Sequence, residues 1–154
     1  MVQISFCWVN EADTDLGIPS YETVGSSGAD LRANIRPSER SSGIILQPGD
    51  AKLIPTGLKF KIPKGYEVQI RPRSGLSINH KVTVLNSPGT IDSDYRGEVS
   101  VILINMGQKE FLVIHGSRIA QMVVAPVIKA KFTSVNSIGN TLRGTGGFGS
   151  TGMN

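Results

Sequence analysis

Three features of the sequence predict an all-β fold, a sandwich or a barrel. Apolar residues alternate with period two in short runs, turn residues separate those runs, and no window longer than about eight residues sustains a 3.6-residue period. QPGD, from Gln47 to Asp50, has the composition of a turn. Leu58, Phe60 and Ile62 alternate with Lys59 and Lys61, and Val68 and Ile70 alternate with Glu67, Gln69 and Arg71, as half-buried strands do. Pro63 and Gly65 lie between these runs, so the pair is expected to form a hairpin. SGLSINHK, Ser74 to Lys81, is expected to make a short helical turn capped by its serine. VSVILIN (Val99 to Asn105) and MVVAPVI (Met122 to Ile128) are apolar on both faces, as strands covered on both sides or facing a subunit contact would be.

Residues 137–154 differ in kind. Ser, Asn, Thr and Gly replace the β-branched runs, and no apolar period is left to bury. The expected organisation is one β-domain over residues 1–136 followed by an arm over 137–154. Glycine loses more conformational entropy on ordering than any other residue, so an arm holding Gly144, Gly146, Gly147, Gly149 and Gly152 is expected to be flexible until something else holds it.

Composition narrows the function classes. The single cysteine, Cys7, excludes an intrachain disulfide and a cysteine-cluster zinc site and fits a reducing, cytoplasmic compartment. The N-terminal run lacks a basic flank and is too short for a signal peptide, and no later stretch approaches about 18 apolar residues, so no membrane role is expected. Sixteen Lys plus Arg against 12 Asp plus Glu give a net charge of +4, too mild to call for a nucleic-acid partner. GGFGSTG lacks the lysine of a P-loop and does not lie between a strand and a helix, which also excludes a dinucleotide fingerprint. His80 and His115 are too far apart for a local zinc motif and are expected in core, rim or turn roles.

Five stretches carry the chemistry: GSSGADL (Gly25 to Leu31), PRSGLS (Pro72 to Ser77), NSPGTIDSDYRGE (Asn86 to Glu98), RIAQM (Arg118 to Met122) and RGTGGFGSTG (Arg143 to Gly152). Each combines small residues, which let backbone N–H groups approach an anion, with charged or hydrogen-bonding side chains suited to phosphate. Any one of them alone reads as a turn. GTIDSDYRGE is the densest, and is expected to be a hairpin with two carboxylates and the Tyr95 ring at its tip. An ionised aspartate is a weak base, yet it can orient and deprotonate a water when other groups neutralise the electrophile, and Asp92 suits that role.

The arm needs several contacts. Ordering about ten flexible residues costs on the order of 10–20 kcal/mol in backbone entropy, while stacking one ring on a nucleobase returns about 1–3 kcal/mol. Charge-assisted hydrogen bonds from Arg143, Ser150, Thr151 and backbone N–H groups to a triphosphate, at roughly 1.5–3 kcal/mol each, offset much of the difference.

In order and interval, the five stretches resemble the five motifs of the trimeric dUTP nucleotidohydrolases, over about Gly25 to Gly152. The resemblance implies a distorted β-barrel of jelly-roll type, a homotrimer with three active sites shared between subunits, and Mg²⁺-assisted hydrolysis of dUTP to dUMP and pyrophosphate. That reaction would supply dUMP for thymidylate synthesis and keep uracil out of DNA. By the same resemblance Asp92 is the general base. Asn86, Thr90, Ile91, Asp92 and Tyr95 receive uracil and deoxyribose, with Phe148 stacking on the base. Ser74 and Gly75 bind phosphate, supported by Arg73, Arg118 and Gln121, while Arg143, Gly149, Ser150 and Thr151 cover the outer phosphates. Asp30 positions Mg²⁺ through its water shell, which suits a cation that keeps several waters. A dCTP deaminase of the same superfamily and a non-catalytic nucleotide-binding trimer are the alternatives.

Overall fold

The computed structural model describes residues 1–150. Ten strands and one short helix form two four-stranded antiparallel sheets and a two-stranded ribbon. The first sheet has the order β1 (Ser5–Trp8), β4 (Ala51–Lys61), β8 (Val99–Asn105), β6 (Val82–Val84). The second has the order β2 (Ala29–Arg32), β10 (Arg118–Pro126), β5 (Tyr66–Arg71), β7 (Gly89–Ile91). β3 (Ile44–Leu46) and β9 (Phe111–Val113) form the ribbon, and α1 spans Ser74–His80. Two facing antiparallel sheets whose successive strands switch sheets make the jelly-roll form of the all-β class.

Alternation sets the core. Along β8, Val99, Val101, Leu103 and Asn105 are buried while Ser100, Ile102 and Ile104 are half-buried. They meet Leu31, Ile54, Val68, Val82, Val113 and Ile119 in one apolar cluster. The buried amide of Asn105 donates to the carbonyls of Leu46 (3.0 Å) and Lys109 (2.8 Å) and accepts from Gly107 N–H (2.9 Å), so the polar group costs little to bury.

Three local expectations are corrected. The runs at 58–62 and 68–70 are strands joined by a turn, but they do not pair. β4 already has β1 and β8 on its two edges, so the Pro63–Gly65 turn carries the chain to the second sheet, where β5 joins β10 and β7. GTIDSDYRGE is likewise no hairpin: β7 pairs with β5 and β8 with β4 and β6, so residues 92–98 form a corner between sheets. Ser74 is the first helical residue of α1, whose cap position is Arg73, and no side chain caps it.

The second face of β8 and the end of β10 are only half-covered. Val127 and Ile128 lie beyond the strand and are exposed, as are Phe132, Ile138 and Leu142 in the strandless segment that follows.

Candidate active site

Four of the five stretches are carried by the second sheet. Asp30 on β2, Gln121 on β10 and Arg71 on β5 form one cross-strand row, and Thr90 on the far strand pairs with Gln69. Antiparallel pairing of short strands thus aligns residues separated by up to 91 positions. From β2 to β7 is three strand spacings, about 14 Å, so the sheet has two functional ends.

At the β2 end, Asp30 is clamped. Arg73 Nε donates to Oδ1 at 3.0 Å and Arg118 Nη1 donates to Oδ2 at 3.1 Å, while Arg118 also meets Glu22 at 3.0 Å. Arg73 Nη1 donates to the Arg118 carbonyl at 3.2 Å, which closes the ring of contacts. The Asp30 side chain is 11% exposed, against 28% and 36% for Arg73 and Arg118, so a well-covered carboxylate holds two guanidinium groups nearer the surface. Gln121 Nε2 donates to the Pro72 carbonyl at 3.0 Å and fixes the chain just before α1. Gly28 has to be glycine for this: a Cβ there would overlap the Gln121 side-chain oxygen and lie 2.9 Å from its Cδ.

Ser74 and Gly75 open α1 beside this cluster. A helical glycine costs about 1 kcal/mol relative to alanine. Gly75 does not have a positive φ, and a Cβ there would meet nothing within 4 Å, so the chain's own packing gives no reason for a glycine. Among the described residues the Ser74 hydroxyl has no hydrogen-bond partner. Exposed backbone, a free hydroxyl and two aligned guanidiniums are what phosphate oxygens require.

At the β7 end, Asn86 packs in the turn before the strand, where a Cβ on Gly89 would come within 3.2 Å of its Nδ2. Thr90, Ile91, Asp92 and Tyr95 line a cleft of about 210 Å³ together with Leu53 and Glu98. Asp92 also borders a groove of about 660 Å³ that includes Tyr66, Glu67 and Lys129. The corner is braced by its own bonds, Tyr95 N–H to the Asp92 carbonyl at 3.2 Å and Arg96 to the carbonyls of Ser93 (2.8 Å) and Tyr95 (2.7 Å). Asp92 itself is exposed, and among the described residues its carboxylate makes no hydrogen bond or ion pair.

The described part of the arm stays apart from both ends. Its hydrogen bonds are local: Arg143 Nε donates to the Gly146 carbonyl at 2.9 Å, and Ser150 N–H to the Gly147 carbonyl at 3.0 Å. Phe148 is fully exposed at a φ of +48°, and Gly149 follows at +88°. Thr151 lies outside the described residues.

Neither histidine joins the site. His80 packs against Phe111 with ring centroids 5.1 Å apart. His115 Nδ1 accepts Ile35 N–H at 3.0 Å, which leaves Nε2 as the protonated nitrogen facing Asp13 at 3.0 Å. That bond, with the Asp15 N–H and the Arg40 charge, holds the Asp13 carboxyl below its ordinary value. Among the described residues no three His, Cys, Asp or Glu side chains converge as a metal cage.

Sequence reasoning missed Glu22, which shares Arg118, and Glu98, which bonds across to β4. Glu98 lies inside the densest motif, but only the fold shows what it reaches.

Known proteins resemble this chain in sequence and in fold. The family model for dUTPase matches residues 14–152. The deoxyuridine 5'-triphosphate nucleotidohydrolase of Roseobacter denitrificans is 55% identical over 152 residues, covering 99% of this chain and 97% of that protein. The Chlamydia pneumoniae protein of the same name is 55% identical over 148 residues, covering 96% and 97%. Among solved structures, the Staphylococcus bacteriophage 80alpha dUTPase with dUPNHPP superposes with a TM-score of 0.81 at 21% identity, covering 97% of this chain and 98% of that one. A dUTPase of phage phi11 of S. aureus, described with a structural Mg(II) ion, gives 0.74 at 17% identity, covering 88% and 98%. With both ends of its second sheet and its C-terminal stretch inside the matched region, the chain belongs to the dUTPase family.

Proposed function

We propose that this protein hydrolyses dUTP to dUMP and pyrophosphate, with Asp92 as the base that orients and deprotonates the attacking water. The observation that carries this reading is the exposed, unpartnered Asp92 carboxylate on a braced corner, beside the cleft lined by Thr90, Ile91 and Tyr95. Main-chain groups between Asn86 and Ile91 read the uracil edge. Cytosine, with donor and acceptor reversed, would leave buried polar groups unpaired, a mismatch that rejects by about 10⁴ or more. Tyr95 lies under the sugar and leaves no room for a ribose 2′-hydroxyl.

The phosphates bind at the other end of the sheet. Ser74 and the Gly75 backbone contact oxygens near the scissile bridge, and Asp30 holds Arg73 and Arg118 facing them, with Gln121 fixing the approach to α1. Mg²⁺ supplies charge neutralisation on the triphosphate when bound. Both Asp30 oxygens are engaged by arginine, so Asp30 meets that cation only through its water shell.

Because the two ends stand about 14 Å apart on one sheet and the described part of the arm bonds to neither, a complete site draws its parts from more than one copy. A homotrimer with shared sites meets that need. It also covers the half-buried face of β8 and the exposed Phe132, Ile138 and Leu142. The arm, residues 137–154, then closes over a neighbour's site, with Phe148 on the uracil and Arg143, Gly149, Ser150 and Thr151 over the outer phosphates. Among the described residues no helix is long and apolar enough to cross a membrane; the free Cys7 accords with a cytoplasmic enzyme.

The test is pyrophosphate release from dUTP, dCTP, dTTP and UTP in the presence of Mg²⁺. Turnover confined to dUTP is expected, and equal turnover of all four would overturn the specificity.

A further inference from the structure

Glu98 makes two bonds that the proposed chemistry does not use. Its Oε1 accepts the backbone N–H of Gly57 at 2.9 Å, across 41 residues of sequence. Its main-chain carbonyl accepts the Tyr95 hydroxyl at 3.0 Å. Gly57 sits in the bulge of β4, between Pro55 and Leu58, where the register against β8 shifts. The bulge is rigid. Gly57 has a φ of +72°, and a Cβ there would lie 2.7 Å from Asn34 Nδ2 and 2.9 Å from its Cγ, so no other residue fits. Its carbonyl accepts Val9 N–H at 2.9 Å, and the neighbouring Thr56 hydroxyl donates to the Val99 carbonyl at 2.5 Å.

On the other side the Tyr95 ring lies against Gly97, where a Cβ would come within 2.6 Å of Cζ. Tyr95 is 44% exposed, so core packing does not hold its ring. What holds it is Gly97 beneath, the Glu98 carbonyl at its hydroxyl, and the Glu98 side chain tying that carbonyl to β4.

We propose that Glu98 is a positioning residue for sugar selection: it fastens the corner carrying Asp92 and Tyr95 to the β4 bulge and thereby sets the height of the Tyr95 ring. The inference rests on the reading of Tyr95 as the platform under the sugar. A carboxylate accepting a backbone N–H makes one of the stronger hydrogen bonds available. Steric exclusion of one hydroxyl needs the ring held to a fraction of an ångström. Without the Glu98 carboxylate the Gly57 N–H loses its partner, the corner slides, and room opens for the 2′-hydroxyl.

The experiment compares the ratio of kcat/KM for dUTP to that for UTP in wild type, Glu98→Ala, Glu98→Gln, Tyr95→Phe and Thr56→Val. Glu98→Ala is expected to lower the ratio about 10- to 100-fold, and Glu98→Gln, which keeps an acceptor at the same reach, to restore most of it. Tyr95→Phe keeps the ring and removes only its hydroxyl bond, so a fall of about fivefold is expected even if Glu98→Ala does not fold. Thr56→Val breaks a buried bond on the same bulge and should lower Tm with the ratio unchanged. A discriminating wild type whose ratio survives in folded Glu98→Ala overturns the inference, as does survival in Tyr95→Phe where Glu98→Ala does not fold, or an equal loss in Thr56→Val. A wild type that turns over UTP as fast as dUTP overturns the reading of Tyr95 and the inference with it.

Discussion

The two aspartates at opposite ends of the second sheet, Asp30 on β2 and Asp92 just past β7, have opposite surroundings. Asp30 is covered and bound by two guanidiniums, whereas Asp92 is exposed on a corner whose bonds all come from other atoms. Each Asp30 oxygen already accepts from a guanidinium, so a water there competes with an ion pair. The Asp92 oxygens accept from no other described residue and are open to one. On the proposed reading the same side chain holds arginines at one end of the sheet and acts on water at the other.

Substitutions separate the two roles, and the largest effect is expected at Asp92. Asp92→Asn removes the proposed base but keeps size and polarity, so turnover should fall about 10²–10⁴-fold while nucleotide affinity, read by titration with a non-hydrolysable dUTP analogue, changes little. Retained turnover would remove Asp92 from the chemistry. Phe148→Ala comes next. Loss of one stacked base corresponds to about 1–3 kcal/mol, expected as weaker binding and as lost ligand-induced protection of the arm from proteolysis; unchanged protection would argue against stacking.

Asp30→Asn leaves Arg73 and Arg118 without their countercharge. Because the arginines are partly exposed, the cost is modest, about 1–3 kcal/mol, and should appear as a lower Tm and a higher KM for dUTP. The smallest effect lies outside the site, at Asp13. Its carboxyl is held below the ordinary value of 3.8, first by the His115 hydrogen bond and next by the Asp15 N–H. The folded group therefore binds its proton less readily than the unfolded one. Its stabilisation is present above pH 3.8 and fades as pH falls through the folded value. Thermal melts of wild type and Asp13→Asn should differ at pH 6 and converge in acid. A difference that grows on acidification would contradict the pairing.

Much of this was legible from sequence, for physical reasons. Period-two alternation at 58–62 and 68–70 names strands with one buried face, because each neighbouring side chain must point the other way. The glycine-bearing stretches mark where backbone can approach a ligand closely, because only small residues leave room for it. Pairing was not legible. The Pro63–Gly65 turn suits a hairpin as well as a change of sheet, and only β4's occupied edges decide between them. Nor does local sequence say that Gly57 would meet Glu98, or that Gly28 would yield its side-chain space to Gln121. These contacts depend on register between strands far apart in the chain. Gly75 is the opposite case, a glycine for which the chain's own packing gives no reason.

Single-turnover hydrolysis at saturating dUTP and Mg²⁺ tests the proposed division of labour between the two aspartates directly. Asp30→Asn is predicted to remain within about tenfold of wild type, while Asp92→Asn slows by about 10²-fold or more. Equal slowing in the two variants, or a fast Asp92→Asn, would contradict the account.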